Sequence, residues 1–281
     1  MHDEDREWRT FQARIPLTFY VPGGVAVGIV EEVLRGEYES GYTGERLTVL
    51  DIGANIGAFS LWAAHRWPGC TINAYEPNPA TFALLERSTR SYQMIRCHNA
   101  AVYPSGNPDE AFFFRGVGDG QAGLVEELAG TFGSEAMGKG EQIRVPVLHP
   151  GELPRADVIK IDVEGAEAAI VTHAELSGTS LILLEFQHRR HLKTIKAHLA
   201  GEFDVVFERR EPWSAILSTD AYQPSLAGDE YGVVFLVRRG QTRLWRPPDA
   251  VTGVAPPSPR GKRPLRRLKK LLRRIRKSSS R

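Results

Sequence analysis

The segment Asp51-Ile52-Gly53-Ala54-Asn55-Ile56-Gly57 combines an acid, two closely spaced glycines and an amide. It follows the short apolar run LTVLDI and precedes a helical stretch. On open α/β sheets, ligands bind at the carboxyl ends of strands, where such turns lie. Glycine lets the chain bend sharply and lets a ligand approach the backbone. Gly-x-Asn-x-Gly is not the dinucleotide fingerprint Gly-x-Gly-x-x-Gly, and no Lys-Ser/Thr pair follows as in a phosphate loop. A pyrophosphate cradle is therefore the weaker reading. Glu76 closes the next apolar run, 23 residues after Gly53, where an acid can accept bonds from both ribose hydroxyls. Together these features predict a nucleoside site. The alternative is a plain tight turn with a solvated glutamate.

A second group of ionisable residues ends two later runs. Lys160-Ile161-Asp162-Val163-Glu164-Gly165-Ala166-Glu167 leaves one strand and opens a helix. Strand alternation puts Lys160, Asp162 and Glu164 on one side if the strand extends that far. Asp162 is placed at a junction between nucleoside and substrate. Glu164 has two readings, a helix cap or a substrate contact. Glu167 fits a first-turn helix acid, where anions are favoured, and Lys160 an ion-pair partner. Glu185 and His188 close the following strand in LLEFQHRR. His188 titrates in the range a general base needs, although a histidine before two arginines also fits a solvated loop. The catalytic candidates are His188, Asp162, Glu185 and Glu164. Asp162 and Glu185 could begin a Mg²⁺ site, but Phe186 stands where another oxygen would help, and hard cations want several oxygens. Metal is not expected.

These residues require a scaffold of alternating strands and helices. Expected strands are 47–52, 71–76, 94–102, 157–163 and 180–187, with helices from Ala58, Pro77, Ala166 and in HLKTIKAHLA. FDVVFERR and YGVVFLVRR read as an antiparallel pair at one edge. Such alternation implies a doubly wound, mostly parallel α/β sheet. Residues 103–150 break the rhythm and read as an insertion, with AFFFR and QIRVPVL forming a hairpin. Residues 1–46 read as a lead-in and possible substrate cap: an extended TFYVPGG, then a helix in VGIVEEVLRGEY ending near Gly36. The main domain spans 47–245, a Pro/Gly-rich linker 246–261, and a basic tail 262–281.

VLDIGANIGAFSLWAA, AYEPNP and VIKIDVEGAE, in this order, resemble the FkbM family of class I methyltransferases. The likeness covers roughly residues 17–240, beginning with TFYVP and LRGEY. It implies a seven-stranded Rossmann-like sheet with an antiparallel edge strand, S-adenosylmethionine as cofactor, and O-methylation of sugars, glycans or secondary metabolites. Carried over by the resemblance, Gly53, Asn55 and Gly57 would line the methionine and ribose parts. Asp51 would hold the ammonium group through water, and Glu76 the ribose. Pro77 and Asn78 would border the adenine, with Asn99 and Ala100 at its edge. The positive sulfonium suits a site supplied with Asp51 and Asp162, because nearby anions stabilise a cation.

Composition narrows the alternatives. A 281-residue chain with 42% hydrophobic content suits one large α/β domain with a short appendage. Cys70 and Cys97 form neither a zinc spacing nor a disulfide framework. The charged start MHDEDREWRT lacks an apolar run, so a cytoplasmic protein is expected. The net charge of +2 hides an asymmetry: eleven basic residues and no acid lie in 262–281, leaving 25 basic against 34 acidic residues before them. An acidic body argues against gripping a nucleic-acid duplex. The missing Asn/Asp-Pro-Pro-Tyr/Phe motif argues against a nucleic-acid methyltransferase. A non-catalytic binding module would carry a degraded turn, and this turn is intact. In the tail, Leu265, Leu268, Leu271, Leu272 and Ile275 fall at helical spacing among basic residues. Three readings remain open: an amphipathic helix on an anionic membrane at the inner face, an RNA or acidic-partner site, and a solvated end.

Overall fold

The computed structural model describes residues 6–11, 17–22, 25–34, 36–105, 110–115, 122–124, 141–212 and 229–241. The linker 246–261 and the basic tail 262–281 lie outside the described residues.

The chain opens with strands β1 (Arg6–Phe11) and β2 (Leu17–Pro22), paired antiparallel, and helix α1 (Val25–Leu34). β1 was not anticipated: REWRTF is mostly polar, and its strand form comes from pairing with β2. The alternating part follows. It runs β3 (Thr48–Ile52), α2 (Ala58–Arg66), β4 (Thr71–Tyr75), α3 (Pro79–Thr89) and β5 (Ile95–His98). Next come β6 (Ala101–Val102), β7 (Glu110–Arg115), β8 (Ala122–Leu124) and β9 (Glu141–Leu148). The chain then continues through β10 (Val158–Ile161), α4 (Glu167–His173), β11 (Leu181–Phe186), α5 (Arg189–Leu199), β12 (Phe203–Pro212) and β13 (Glu230–Arg238).

Seven strands form the central sheet in the order β12-β13-β11-β10-β3-β4-β5. The pairs β5–β4, β4–β3, β3–β10 and β10–β11 are parallel. β13 runs antiparallel to both β11 and β12. The antiparallel pair thus forms one margin of the sheet, as expected for FDVVFERR and YGVVFLVRR, with β13 one strand in from the edge. Winding proceeds outward from β3 through β4 and β5, then resumes on the other side with β10. The β3/β10 boundary is therefore the point where the winding direction reverses, and a crevice opens there at the carboxyl ends of the strands.

Alternate residues of the strands feed two cores. Val49, Val158, Leu183 and Phe235 point to the face covered by α1 and α2, where Val30, Val33, Phe59 and Leu61 are buried. Leu50, Ile159, Leu184 and Leu236 point to the face covered by α4 and α5, against Ile170, Val171, Leu192 and Ile195. Burial on both faces explains why β10 and β11 read as nearly continuous apolar runs. The expected third strand, 94–102, is split at Asn99 and Ala100. β5 stays in the main sheet, whereas β6 pairs parallel with β9 in a small sheet ordered β6-β9-β7-β8. Asn99 fixes that departure: its amide nitrogen donates to the carbonyls of Glu76 at 2.9 Å and Pro77 at 3.0 Å. Within the insertion, AFFFR and QIRVPVL pair antiparallel as expected, with Phe113 opposite Ile143.

Among the described residues, no helix is long and apolar enough to cross a membrane.

Candidate cofactor and catalytic site

The glycine turn is built by main-chain bonds and left-handed residues. The N–H groups of Gly53 and Ala54 both donate to the carbonyl of Tyr75 on β4, at 3.0 and 2.9 Å. Gly53 has φ +79°, and a Cβ there would lie 1.8 Å from the carbonyl oxygen of Asp162. The turn is therefore closed against the end of β10, and only glycine fits. Asn55 also adopts φ +51°, which an asparagine tolerates better than most residues. Gly57, at φ +89°, starts α2.

Glu76 lies just beyond β4 and is pinned from both sides. Its Oε2 accepts from the backbone N–H of Asn55 and its Oε1 from that of Asn78, each at 2.9 Å. Each oxygen retains a lone pair for a further donor. Burial lifts this carboxyl to about 7, while the two N–H groups and the Lys160 charge pull it down. Asn78 has a second role: its side chain accepts from the N–H of Ala80 at 3.0 Å, capping α3 with Pro79 at the first helical position.

On β3 and β10, Asp51 and Lys160 stand opposite each other. Both are closed to solvent. Lys160 Nζ donates to the carbonyl of Gly53 at 2.7 Å and lies 3.3 Å from Asp51 Oδ1 and 3.6 Å from Asp162 Oδ2. Ser60, from the first turn of α2, donates to Asp51 Oδ2 at 2.6 Å. Burial alone would lower the Lys160 pKa, but the carboxylates of Asp51 and Asp162 raise it above its ordinary value. Lys160 is thus held as an ammonium, as its ion-pair reading requires. Asp51 is engaged by Ser60 and Lys160, so the acid facing the crevice is Asp162, whose side chain keeps 30% exposure.

β10 ends at Ile161, so strand alternation carries Lys160 and Asp162 to one side but does not reach Glu164. Glu164 has φ +59° and Gly165 φ +122°, forming a left-handed turn into α4. The N-cap position of α4 is held by Ala166, not by Glu164. Glu167 takes the first-turn position, fully buried, and accepts from the N–H of Gly165 at 2.7 Å. Glu185 lies near the end of β11, whose Leu184 pairs with Ile161, so Glu185 follows in register beside Asp162. Burial first, and the neighbouring Asp162 second, push the Glu185 carboxyl well above the usual carboxylate range.

His188 is the N-cap residue of α5 and is buried. Its Nδ1 lies 2.7 Å from Asp229 Oδ2, and its ring meets that of His191 edge-on at 5.0 Å. Burial lowers its pKa, and the bond to Asp229 opposes that fall. Asp229 Oδ1 also accepts from the N–H groups of Arg189 and Glu230.

Three residues of this arrangement escaped the sequence reading. Ser60 and Asp229 carry no local signal, since each acts through a partner on another element, nine and 41 positions away. Tyr38 sits in the quoted LRGEY stretch, but nothing local distinguishes it from a packing tyrosine. Its hydroxyl donates to Asp162 Oδ2 at 3.3 Å. No group of three or more His, Cys, Asp or Glu side chains able to hold a metal occurs among the described residues.

The residues present fit S-adenosylmethionine. Glu76 offers fixed acceptor lone pairs for ribose hydroxyls, and Asp162, 30% exposed, supplies an anion for a cationic ligand.

Comparison with known proteins gives the family. The methyltransferase FkbM domain matches residues 51–198. Methyltransferase 1 of Beauveria bassiana is 27% identical over 143 residues, covering 44% of this chain and 56% of that protein. The 31-O-demethyl-FK506 methyltransferase FkbM of Streptomyces tacrolimicus is 28% identical over 154 residues, covering 45% and 59%. The chain thus spans little more than half the length of the curated relatives it matches. Among solved structures, TYW2 of P. horikoshii in complex with MeSAdo is similar with a TM-score of 0.47 and 13% identity, over 85% of this chain and 72% of that one. With its matching domain running from the Asp51 turn through α5, the chain belongs to the FkbM family of S-adenosylmethionine-dependent methyltransferases.

Proposed function

We propose that this protein transfers the methyl group of S-adenosylmethionine to a hydroxyl of a sugar, glycan or secondary metabolite. The observation that carries the reading is Glu76, buried and clamped between the amides of Asn55 and Asn78 at the lip of the Gly53 turn. The similar Streptomyces protein, whose name describes O-methylation of a secondary metabolite, supports the acceptor class.

When bound, S-adenosylmethionine supplies a methyl carbon already activated by the sulfonium. The protein's tasks are then to align the acceptor, exclude water and remove one proton. Gly53, Asn55 and Gly57 shape the main chain against the methionine and ribose parts. Glu76 orients the ribose, and Pro77, Asn78, Asn99 and Ala100 border the adenine. Asp162 presents negative charge at the crevice between β3 and β10. His188 is the proton acceptor of this reading. With its Nδ1–H directed to Asp229, Nε2 is the basic nitrogen, and the lowered pKa keeps the ring neutral near pH 7. Glu185, beside Asp162, is the second candidate for that proton. Residues 1–46 and 103–150 shape acceptor choice as the least regular parts of the chain.

Calorimetric titration with S-adenosylmethionine, followed by transfer of a labelled methyl group to a panel of hydroxylated acceptors, tests the proposal. Binding is expected to survive dialysis against a chelator. Failure to bind the nucleoside would overturn the cofactor reading. Methylation of an amine in preference to every hydroxyl would overturn the acceptor class.

A further inference from the structure

Tyr38 belongs to the lead-in, before the first strand of the alternating part, yet its hydroxyl ends at the carboxyl end of β10. The path is set locally. Gly36, at φ +98°, stops α1 with its N–H bonded to the carbonyl of Val33 at 3.0 Å. The chain then turns back over the sheet. The Tyr38 ring packs edge-on against Phe59 of α2 at 5.2 Å between centroids, and Lys160 Nζ lies 5.9 Å from its centre. The residue is 2% exposed, and burial with nearby carboxylates keeps the phenol protonated and so a donor.

Both groups that engage Asp162 use the same oxygen. Tyr38 donates to Oδ2, and Lys160 lies against Oδ2. Asp162 Oδ1 has no partner among the described residues, in a side chain that keeps 30% exposure. The carboxylate is therefore oriented, with one oxygen occupied and the other presented at the crevice. Asp51 does not serve the same end directly: its side chain is 0% exposed, with Oδ2 taking the Ser60 hydroxyl and Oδ1 3.3 Å from Lys160 Nζ.

We propose that Tyr38 is a positioning residue of the cofactor site: it fixes Asp162 Oδ2 so that Oδ1 receives the α-ammonium of the cofactor's methionine part. The proposal rests on the S-adenosylmethionine reading above. It makes the lead-in part of the cofactor site. Removing the Tyr38 hydroxyl leaves Oδ2 with only the 3.6 Å contact to Lys160, so the carboxylate is held less firmly and its charge spreads over more orientations. A ligand with an ammonium loses affinity. A nucleoside without one does not.

The test uses the full chain and two stable nucleosides, S-adenosylhomocysteine and 5′-methylthioadenosine, titrated by calorimetry. The second carries the adenosine and thioether without the amino-acid part. Tyr38→Phe is expected to weaken S-adenosylhomocysteine about threefold to tenfold and to leave 5′-methylthioadenosine unchanged. Asp162→Asn is expected to weaken S-adenosylhomocysteine further, and adding Tyr38→Phe to it costs nothing more, because the two act through one contact. Equal affinity of Tyr38→Phe and wild type for S-adenosylhomocysteine overturns the proposal. So does equal loss for both nucleosides, which marks a packing role, or additive losses in the double variant. Should Tyr38→Phe lose its cooperative melt, Asp162→Asn decides alone: unchanged S-adenosylhomocysteine affinity there overturns the proposal. Wild-type protein that binds neither nucleoside overturns the cofactor reading itself, a result distinct from all of these.

Discussion

Lys160 Nζ lies 3.3 Å from Asp51 Oδ1, on neighbouring parallel strands, with side-chain exposures of 4% and 0%. A charge pair this deep repays its desolvation only while both partners and their further bonds are present. Here those bonds are the Gly53 carbonyl for Lys160 and the Ser60 hydroxyl for Asp51. Lys160→Met therefore leaves a buried carboxylate without a counter-charge. We expect a loss of about 3–5 kcal/mol in urea unfolding. Adding Asp51→Asn should recover much of it, because the neutral amide no longer needs the ammonium. A loss below about 1 kcal/mol in the single variant would show that solvent reaches the pair.

Gly53 and Gly57 are both left-handed, but their surroundings differ. A Cβ at Gly53 meets the Asp162 carbonyl oxygen at 1.8 Å, so the backbone of β10 must move. A Cβ at Gly57 meets Leu85 Cδ1 at 2.9 Å, the end of a side chain that can rotate. Gly53→Ala should cost about 2–4 kcal/mol and Gly57→Ala about 1–2 kcal/mol. Gly53→Ala should also weaken nucleoside binding more than its stability loss accounts for, since it displaces Asp162. Equal costs at the two sites would contradict the close approach of the Gly53 turn to β10.

Glu76 makes stability and binding respond to pH in opposite directions. Its carboxyl is raised to about 7 by burial, above the value it has in an unfolded chain. The folded state thus holds this proton more tightly. Stability of the ligand-free protein from this group is fully present at low pH and is lost as pH rises toward and through about 7. Ribose hydroxyls donate to the ionised form, so S-adenosylhomocysteine binding should tighten over the same interval. Melting curves and calorimetry from pH 5.5 to pH 8 compare wild type with Glu76→Gln, which should lack both trends. A wild-type binding profile that is flat across the window would remove Glu76 from the ribose site.

His188 and Asp229 are 41 residues apart in sequence and 2.7 Å apart in space. Burial lowers the imidazole pKa and Asp229 raises it. In Asp229→Asn the His188 resonance should titrate at lower pH than in wild type, followed by NMR. An unchanged or higher midpoint would show that the carboxylate does not govern this ring. With an acceptor in hand, the same variant should lower kcat more than it changes KM, because it alters the base and not the binding surface.

The legible part of this protein was local. LTVLDI and LILLEF are short apolar runs because both faces of the sheet are covered, TINAYE is more mixed, and each became a strand of the central sheet. Helix α2 follows the glycine turn at Ala58, and Pro79 opens α3 after its Asn78 cap. The order DIGANIG, EPNP and IDVEGAE also identified the family, because each motif lies at a strand end where its spacing is fixed by β-α-β geometry. Less legible were the strand ends. Asn99 and Ala100 read as the end of one continuous strand over 94–102, but the two bonds from Asn99 hold a break there and send β6 to another sheet.

The Asp51–Gly57 turn, Glu76 and Asp162 could therefore be named from sequence as a group. Their present division of labour could not. Asp51 is enclosed by Lys160 and Ser60, Asp162 is turned by Tyr38, and His188 is tied to Asp229. These pairings are separated by 109, 9, 124 and 41 positions, and none of them lies within the three or four residues of a helical turn. Sequence periodicity reports which face a residue occupies within its own element. Which oxygen of Asp162 is bound depends on how far α1 and its Gly36 turn carry Tyr38 over the sheet, and that distance exists only in the folded chain.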